Sequence, residues 1–192
     1  MTAPTLDTRP FDGVTIPTAG TFALDPAHTE VAAIARHLVV SKVRGTFGGT
    51  TGTIVIADDP LQSSVTASIP AATINTNSTD RDNHLRSADF LDVENHPTLD
   101  FRSTSIVSHK GAEFVVRGDL TIRGVTREVE LDARVTGAGT DPWGNERLGL
   151  ELEGEIDRHD FGVSWNTPIP TGGLLLGDTV TLSAGFSAVK EA

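Results

Sequence analysis

The residues of this chain best suited to acid–base or metal chemistry are its six histidines: His28, His37, His84, His96, His109 and His159. No two of them stand in a His-x-His or His-x3-His arrangement, and there is no cysteine. The spacings that gather metal ligands on one strand or one helical turn are therefore missing, and no metal or cofactor is expected. Ser41, Ser63, Ser64 and Ser164 sit in no Gly-x-Ser-x-Gly elbow, so a serine nucleophile has no support. Glu151, Glu153 and Glu155 lie two apart, share one strand face and read as solvated charge.

The densest polar cluster is Arg81, Asp82 and His84, within the run from Ser78 to Phe90. That run reads as a short helix, with Ser78 or Thr79 as N-cap and acidic residues in its first turn. Leu85 and Ala88 fall on one side, and Phe90 follows the last turn, as in a strap packed on a larger body. Asp80 with His84, and Asp82 with Arg86, are i,i+4 pairs, so ion pairing along the helix accounts for the cluster without chemistry. Arg81 and His84 stand as candidates for contact with a ligand head group. His28 and His37 lie an odd nine apart, on opposite faces of a regular strand. His37 shares its series with Val31, Ala33, Ala35 and Val39, and points to the dry side.

The elements that must position these residues are strands. Val125, Val129, Leu131, Ala133 and Val135 alternate with Thr126, Glu128, Glu130, Asp132, Arg134 and Thr136, Arg127 being the exception in the apolar series. The same period of two runs through Phe114, Val116, Leu120 and Ile122, through Leu148, Leu150, Leu152 and Ile156, and through Val180, Leu182, Ala184, Phe186 and Ala188. Successive strand side chains point to opposite faces, so each segment has one wet and one dry side. Further strands are expected near 21–25, 28–43, 46–57, 63–70 and 98–107. Turns fall at Gly48-Gly49, Asp58-Asp59-Pro60, His109-Lys110-Gly111, Gly137 to Gly144 and Gly172-Gly173. About eight or nine such strands predict an antiparallel sheet that curls and closes on itself. The expected fold is all-β, with a barrel over 21–190, one short helix and an N-terminal arm over 1–20.

Pro4, Pro10 and Pro17 break regular structure in that arm, which Phe11, Val14 and Ile16 could anchor. Fifteen basic residues against 26 acidic ones give a net charge of −11, which repels nucleic acid and anionic membranes alike. No basic start followed by an apolar run is readable, and no stretch approaches a membrane span. A cytoplasmic location is the expectation. Trp143, in Asp-Pro-Trp-Gly-Asn, is expected to pack at a hairpin tip. Leu174, Leu175 and Leu176 are consecutive, so the loop from Thr167 to Gly177 should form a lip or a partner contact.

An eight-stranded barrel is wide enough to be filled by side chains or to hold one small ligand. The inward face is largely Val, Leu and Ala, with Gly118, Gly154 and Ser103 among them, and there is no tyrosine. Composition leaves a solid and a hollow interior equally open. A hollow one would be long and narrow and would suit a chain: about 0.8 kcal/mol per methylene offers roughly 16 kcal/mol of gross burial for a twenty-carbon tail, much of it offset by ordering and association.

Several motifs narrow the choice. Phe22-Ala23-Leu24-Asp25-Pro26-Ala27-His28-Thr29, Arg36-His37-Leu38 and Ser41-Lys42-Val43-Arg44-Gly45-Thr46-Phe47 resemble the opening of YceI-like domains. The resemblance continues through the run from Arg81 to Asp92, His96-Pro97, Phe101-Arg102-Ser103, the run from Gly118 to Thr126, and Ile156 to Gly162. It covers about residues 21–190 in order and is specific. It implies an extended, lipocalin-like eight-stranded barrel holding a polyisoprenoid or similar amphiphile in its pore. Many family members are exported, whereas no export signal is readable here, and Phe22 stands where Trp is commoner.

The residues expected to line the pore are His37, Phe47, Phe101, Phe114, Val116, Leu120, Leu131, Leu150, Leu152, Trp165, Leu182 and Phe186. The leading expectation is a non-enzymatic protein that sequesters or carries a long-chain lipid or isoprenoid. Two alternatives stay open: an enzyme acting on such a lipid with His37 or His84 as acid–base, and a ligand-free scaffold that dimerises through the arm and the Leu174 to Leu176 loop.

Overall fold

The alternation seen in the sequence governs the backbone. In a computed structural model, which describes residues 6–38, 40–170 and 172–191, the strands are β1 (Thr8–Phe11), β2 (Val14–Pro17), β3 (Gly20–Leu24), β4 (Glu30–His37), β5 (Ser41–Phe47), β6 (Thr51–Ile56), β7 (Ser64–Pro70), β8 (Thr98–Lys110), β9 (Glu113–Ile122), β10 (Val125–Thr140), β11 (Glu146–Asp157) and β12 (Leu176–Lys190). One helix, α1 (Thr79–Arg86), interrupts them. In β9, Val116, Gly118, Leu120 and Ile122 are buried while Glu113 and Asp119 are exposed, so one face is dry and the other wet.

Pairing closes the sheet. β11 joins β10 on one edge and β12 on the other. The second edge of β12 is shared, Leu176 to Gly185 facing β4 and Ala188 to Lys190 facing β3. β3 and β4 are thus two lengths of one stave broken at 25–29, and β5 and β6 form the next, broken at 48–50. Counting each broken stave once gives the closed eight-stranded antiparallel barrel; the second edge of β5 is met by the Thr46–Asn75 bridge instead of a strand. Among the described residues no helix is long and apolar enough to cross a membrane.

Four local expectations are corrected. The strand expected over 28–43 is two strands, because the chain reverses around Leu38, which takes a positive φ of 54°. Gly48-Gly49 only bends its stave: β4 pairs with β5 and β3 with β6, so the reversal has to lie earlier. Val39 lies outside the described residues. The helix stops at Arg86 instead of running to Phe90, and Ala88 is exposed. Trp143 does not pack; it is 81% exposed. Its turn is organised by Asp141, whose carboxylate accepts from the backbone N–H groups of Trp143 and Asn145 at 3.0 and 2.9 Å, so packing is not needed to hold it.

Within the described part of the arm, β1 and β2 form a hairpin. Asp12 and Gly13 both take positive φ, 46° and 80°, as the tight turn that matches strand twist requires. The hairpin lies across the barrel end opposite α1 and ties to three of its turns. Arg9 donates to the carbonyls of Ala57 and Asp58. The Gly111 N–H donates to Asp12 at 2.7 Å, and the Leu6 N–H to the Thr140 hydroxyl at 3.1 Å. Ile16 and Pro17 are buried, and the Phe11 ring stacks 6.3 Å from Phe114.

Candidate functional site

The hairpin corks one end of the barrel; at the other, toward α1, the strap from Ala71 to Pro97 and the loop after β11 cover the mouth. Beneath them the dry faces of the staves enclose a cavity of about 230 Å3. Ile69, Leu120, Ile122, Leu152, Ile156 and Leu182 wall it, and Leu85, Phe90 and Leu91 roof it from the strap. Of the side chains lining it, only those of Thr76, Arg158 and Ser183 are polar. An engineered apolar cavity of roughly 150 Å3 stays dry and takes up benzene, so this larger one suits hydrocarbon over water.

The strap is held down by its polar residues. Asp82 is buried and accepts from the Thr76 N–H at 2.8 Å and the Thr76 hydroxyl at 2.6 Å. The Thr76 hydroxyl bond, foremost, holds the Asp82 carboxyl below the usual carboxylate range against the opposing effect of burial; its N–H and the charges of Arg86 and Arg81 act in the same direction. Arg81 donates to the Thr76 hydroxyl and carbonyl at 2.7 and 2.8 Å. Arg86 donates to the carbonyls of Ala72 and Ile74 at 2.7 and 2.8 Å. The ion pairs expected within the helix therefore give way to bonds that tie α1 to the segment before it. His84 pairs with Asp89 at 2.9 Å instead of Asp80.

Across the mouth, His84 stands edge-on to Trp165 with centroids 4.7 Å apart, and Phe90 lies 5.3 Å from the same indole. The three rings join strap to loop. Arg158 anchors that loop from below. Its guanidinium is buried and donates to the carbonyls of Val163, Trp165 and Gly177 at 2.7, 3.0 and 3.0 Å, with Asp178 beside it at 3.4 Å.

The sequence-derived lining residues divide. Phe47, Phe101, Leu120, Leu131, Leu152, Leu182 and Phe186 meet around the cavity. Phe114, Val116 and Leu150 line a separate chamber nearer the hairpin. Trp165 belongs to the cover, and His37 ends β4 outside the lining. Arg81 and His84 lie on the strap, engaged with Thr76 and Asp89. Sequence reasoning passed over Arg158, since a charged residue at a strand end reads as solvated. It also passed over Ile69, Ile122, Ile156 and Val180, although these continue the same dry series.

An extended up-and-down barrel with an enclosed apolar pore, corked at one end and strapped at the other, is the class that this geometry defines. The chain belongs to the YceI family, whose YceI-like domain matches residues 22–188. Protein YceI of Escherichia coli O6:H1 (strain CFT073) is 43% identical over 129 residues, 67% of either chain. The crystal structure of the Campylobacter jejuni YCEI protein superposes with a TM-score of 0.69 at 29% identity, covering 82% of this chain and 90% of that one. A polyisoprenoid binding domain from Saccharophagus degradans, implicated in plant cell wall breakdown, gives a TM-score of 0.66 at 12% identity, covering 88% and 98%. At that identity the likeness is one of fold.

Proposed function

We propose that this protein binds a long-chain amphiphile, of polyisoprenoid or similar lipid type, tail-first in the pore, and sequesters or carries it without making or breaking a bond. The observation that carries this reading is the enclosed cavity whose lining offers three polar side chains, of which Thr76 and Arg158 are committed to bonds within the protein. Such a wall recognises shape and hydrocarbon. The family membership and the polyisoprenoid binding domain that shares the fold support the same class of ligand.

The size of the space sets the terms. Scaled from benzene in roughly 150 Å3, the cavity encloses about nine carbons, or roughly 7 kcal/mol of gross burial. A longer tail leaves the remainder at the mouth, against Phe90 and Trp165, with its head group toward solvent. The test is denaturing organic extraction of freshly purified protein, followed by mass spectrometry, alongside titration of the emptied protein with farnesol. A co-purifying long-chain lipid, or saturable farnesol uptake, is the expected result. Protein that is empty in every preparation and takes up no farnesol defeats the reading.

A further inference from the structure

Between the pore and the hairpin lies a second chamber of about 70 Å3, and no residue lines both spaces. The boundary falls between successive inward positions on four staves. Ala67 lines the pore and Val65 the far chamber on β7; Phe101 and Ser103 divide in the same way on β8. Leu131 and Ala133 do so on β10, and Leu152 and Leu150 on β11.

The bulk on the pore side of this line comes from Phe47, Phe101 and Phe186, each at most 7% exposed. Phe186 lies opposite Leu150 of the far chamber yet lines the pore, which places it at the divide. Gly118 makes room for Phe101: a Cβ there would come within 2.6 Å of the Phe101 ring. Beyond the divide, Ile16 and Pro17 of the hairpin help to line the far chamber, together with Ile54, Val65 and Val116 of the staves.

We propose that Phe47, Phe101 and Phe186 form an internal floor that fixes the length of tail the pore accepts, and that the far chamber comes into use only when this floor is opened. The proposal rests on the lipid-binding reading and adds a specificity determinant to it. Buried phenylalanine side chains in a densely packed interior leave little passage for a tail, and a tail that meets them gains nothing from further carbons except outside the mouth.

The test uses the full-length protein and a series of isoprenoid alcohols: geraniol, farnesol, geranylgeraniol and longer polyprenols, followed by isothermal titration. For the unaltered protein, affinity is expected to rise along the series and then level off. In Phe101→Ala and Phe186→Ala the levelling moves to the next longer alcohol, with roughly a tenfold gain for that member. Ala184→Leu adds bulk to the pore one inward position from Phe186 on β12 and keeps the test decisive if the alanine variants do not fold; it moves the levelling to the next shorter alcohol. Levelling at the same alcohol in every folded variant overturns the floor and leaves lipid binding intact. Failure of the unaltered protein to bind any alcohol removes the lipid reading and the floor with it.

Discussion

The carboxylate of Asp82 is satisfied by a single residue, Thr76, whose backbone N–H and hydroxyl both donate to it. Since Thr76 also lines the pore and holds Arg81, this pair is the latch that fastens α1 to the segment before it, which the Asn75–Thr46 bridge joins to β5. Asp82→Ala strands two buried donors and should cost about 2 kcal/mol. Urea denaturation reads the loss, and amide exchange should show the strap from Ala71 to Pro97 opening before the staves. Because the folded-state pKa of Asp82 is lowered, the latch is intact at neutral pH and weakens as pH falls through that lowered value. Equal exchange in strap and staves would argue against a latch.

Arg158 should matter to the other half of the cover. Removing it leaves the carbonyls of Val163, Trp165 and Gly177 without their donor beneath the loop. Arg158→Ala is expected to destabilise by about 3 kcal/mol, and Arg158→Lys by less, since an ammonium keeps the charge and some donors although it cannot reproduce the fork. Lipid release measured by stopped flow should speed up in both. An unchanged release rate in a folded Arg158→Lys variant would show that the loop does not gate the mouth.

How much of this was legible in the sequence follows from which interactions are local. The period of two in β9, β10, β11 and β12 names the dry face directly, because strand geometry fixes side-chain direction residue by residue. Closure followed from strand number and edge chemistry. The breaks in the first two staves did not, since a strand of 28–43 and a hairpin at Leu38 have the same alternation on either side. The arm carried an unread signal: Phe11-Asp12-Gly13-Val14 holds the Asp-Gly dipeptide that favours a two-residue hairpin. His37, inward by parity, ends its strand beyond the lining, while Arg158 is buried where the Val163 and Trp165 carbonyls of the loop and the Gly177 carbonyl of β12 converge on it. The divide between the two chambers depends on Phe47, Phe101 and Phe186, which come from three separate staves, so no single stave records it.

At the hairpin end, Arg147 bridges two carboxylates, Asp141 and Asp25, each at 2.9 Å. The Arg147 bond first, then that of His28, draws the pKa of Asp25 from 3.8 to about 2. Burial works to raise Asp141, but Arg147 and the bonds from Asn145 and Trp143 overcome it and hold it low. Depressed folded-state values mean that this contribution to stability is present above the ordinary carboxylate range and lost as pH falls through the lowered ones. Calorimetry as a function of pH should show the melting temperature dropping between 3.8 and about 2. In Arg147→Met that drop should shrink, with the loss appearing at neutral pH instead; an unaltered acid limb would assign the acid sensitivity elsewhere.

The two tryptophans offer a built-in reporter, because their surroundings differ. Trp143 is 81% exposed on a turn at the hairpin end, where a ligand in the pore does not reach it. Trp165 is half-buried at the mouth, 4.7 Å from His84 and 5.3 Å from the pore-lining Phe90. An alcohol tail entering past these rings must displace water from the indole or shift it, so emission should change in proportion to occupancy. Trp143→Phe should keep the whole titration signal and Trp165→Phe should lose it, both with affinities within about threefold of the unaltered protein, since substitution by another aromatic keeps most of the packing. The signal following Trp143 instead would place entry at the corked end, contrary to the path that the strap, the loop and the hairpin define.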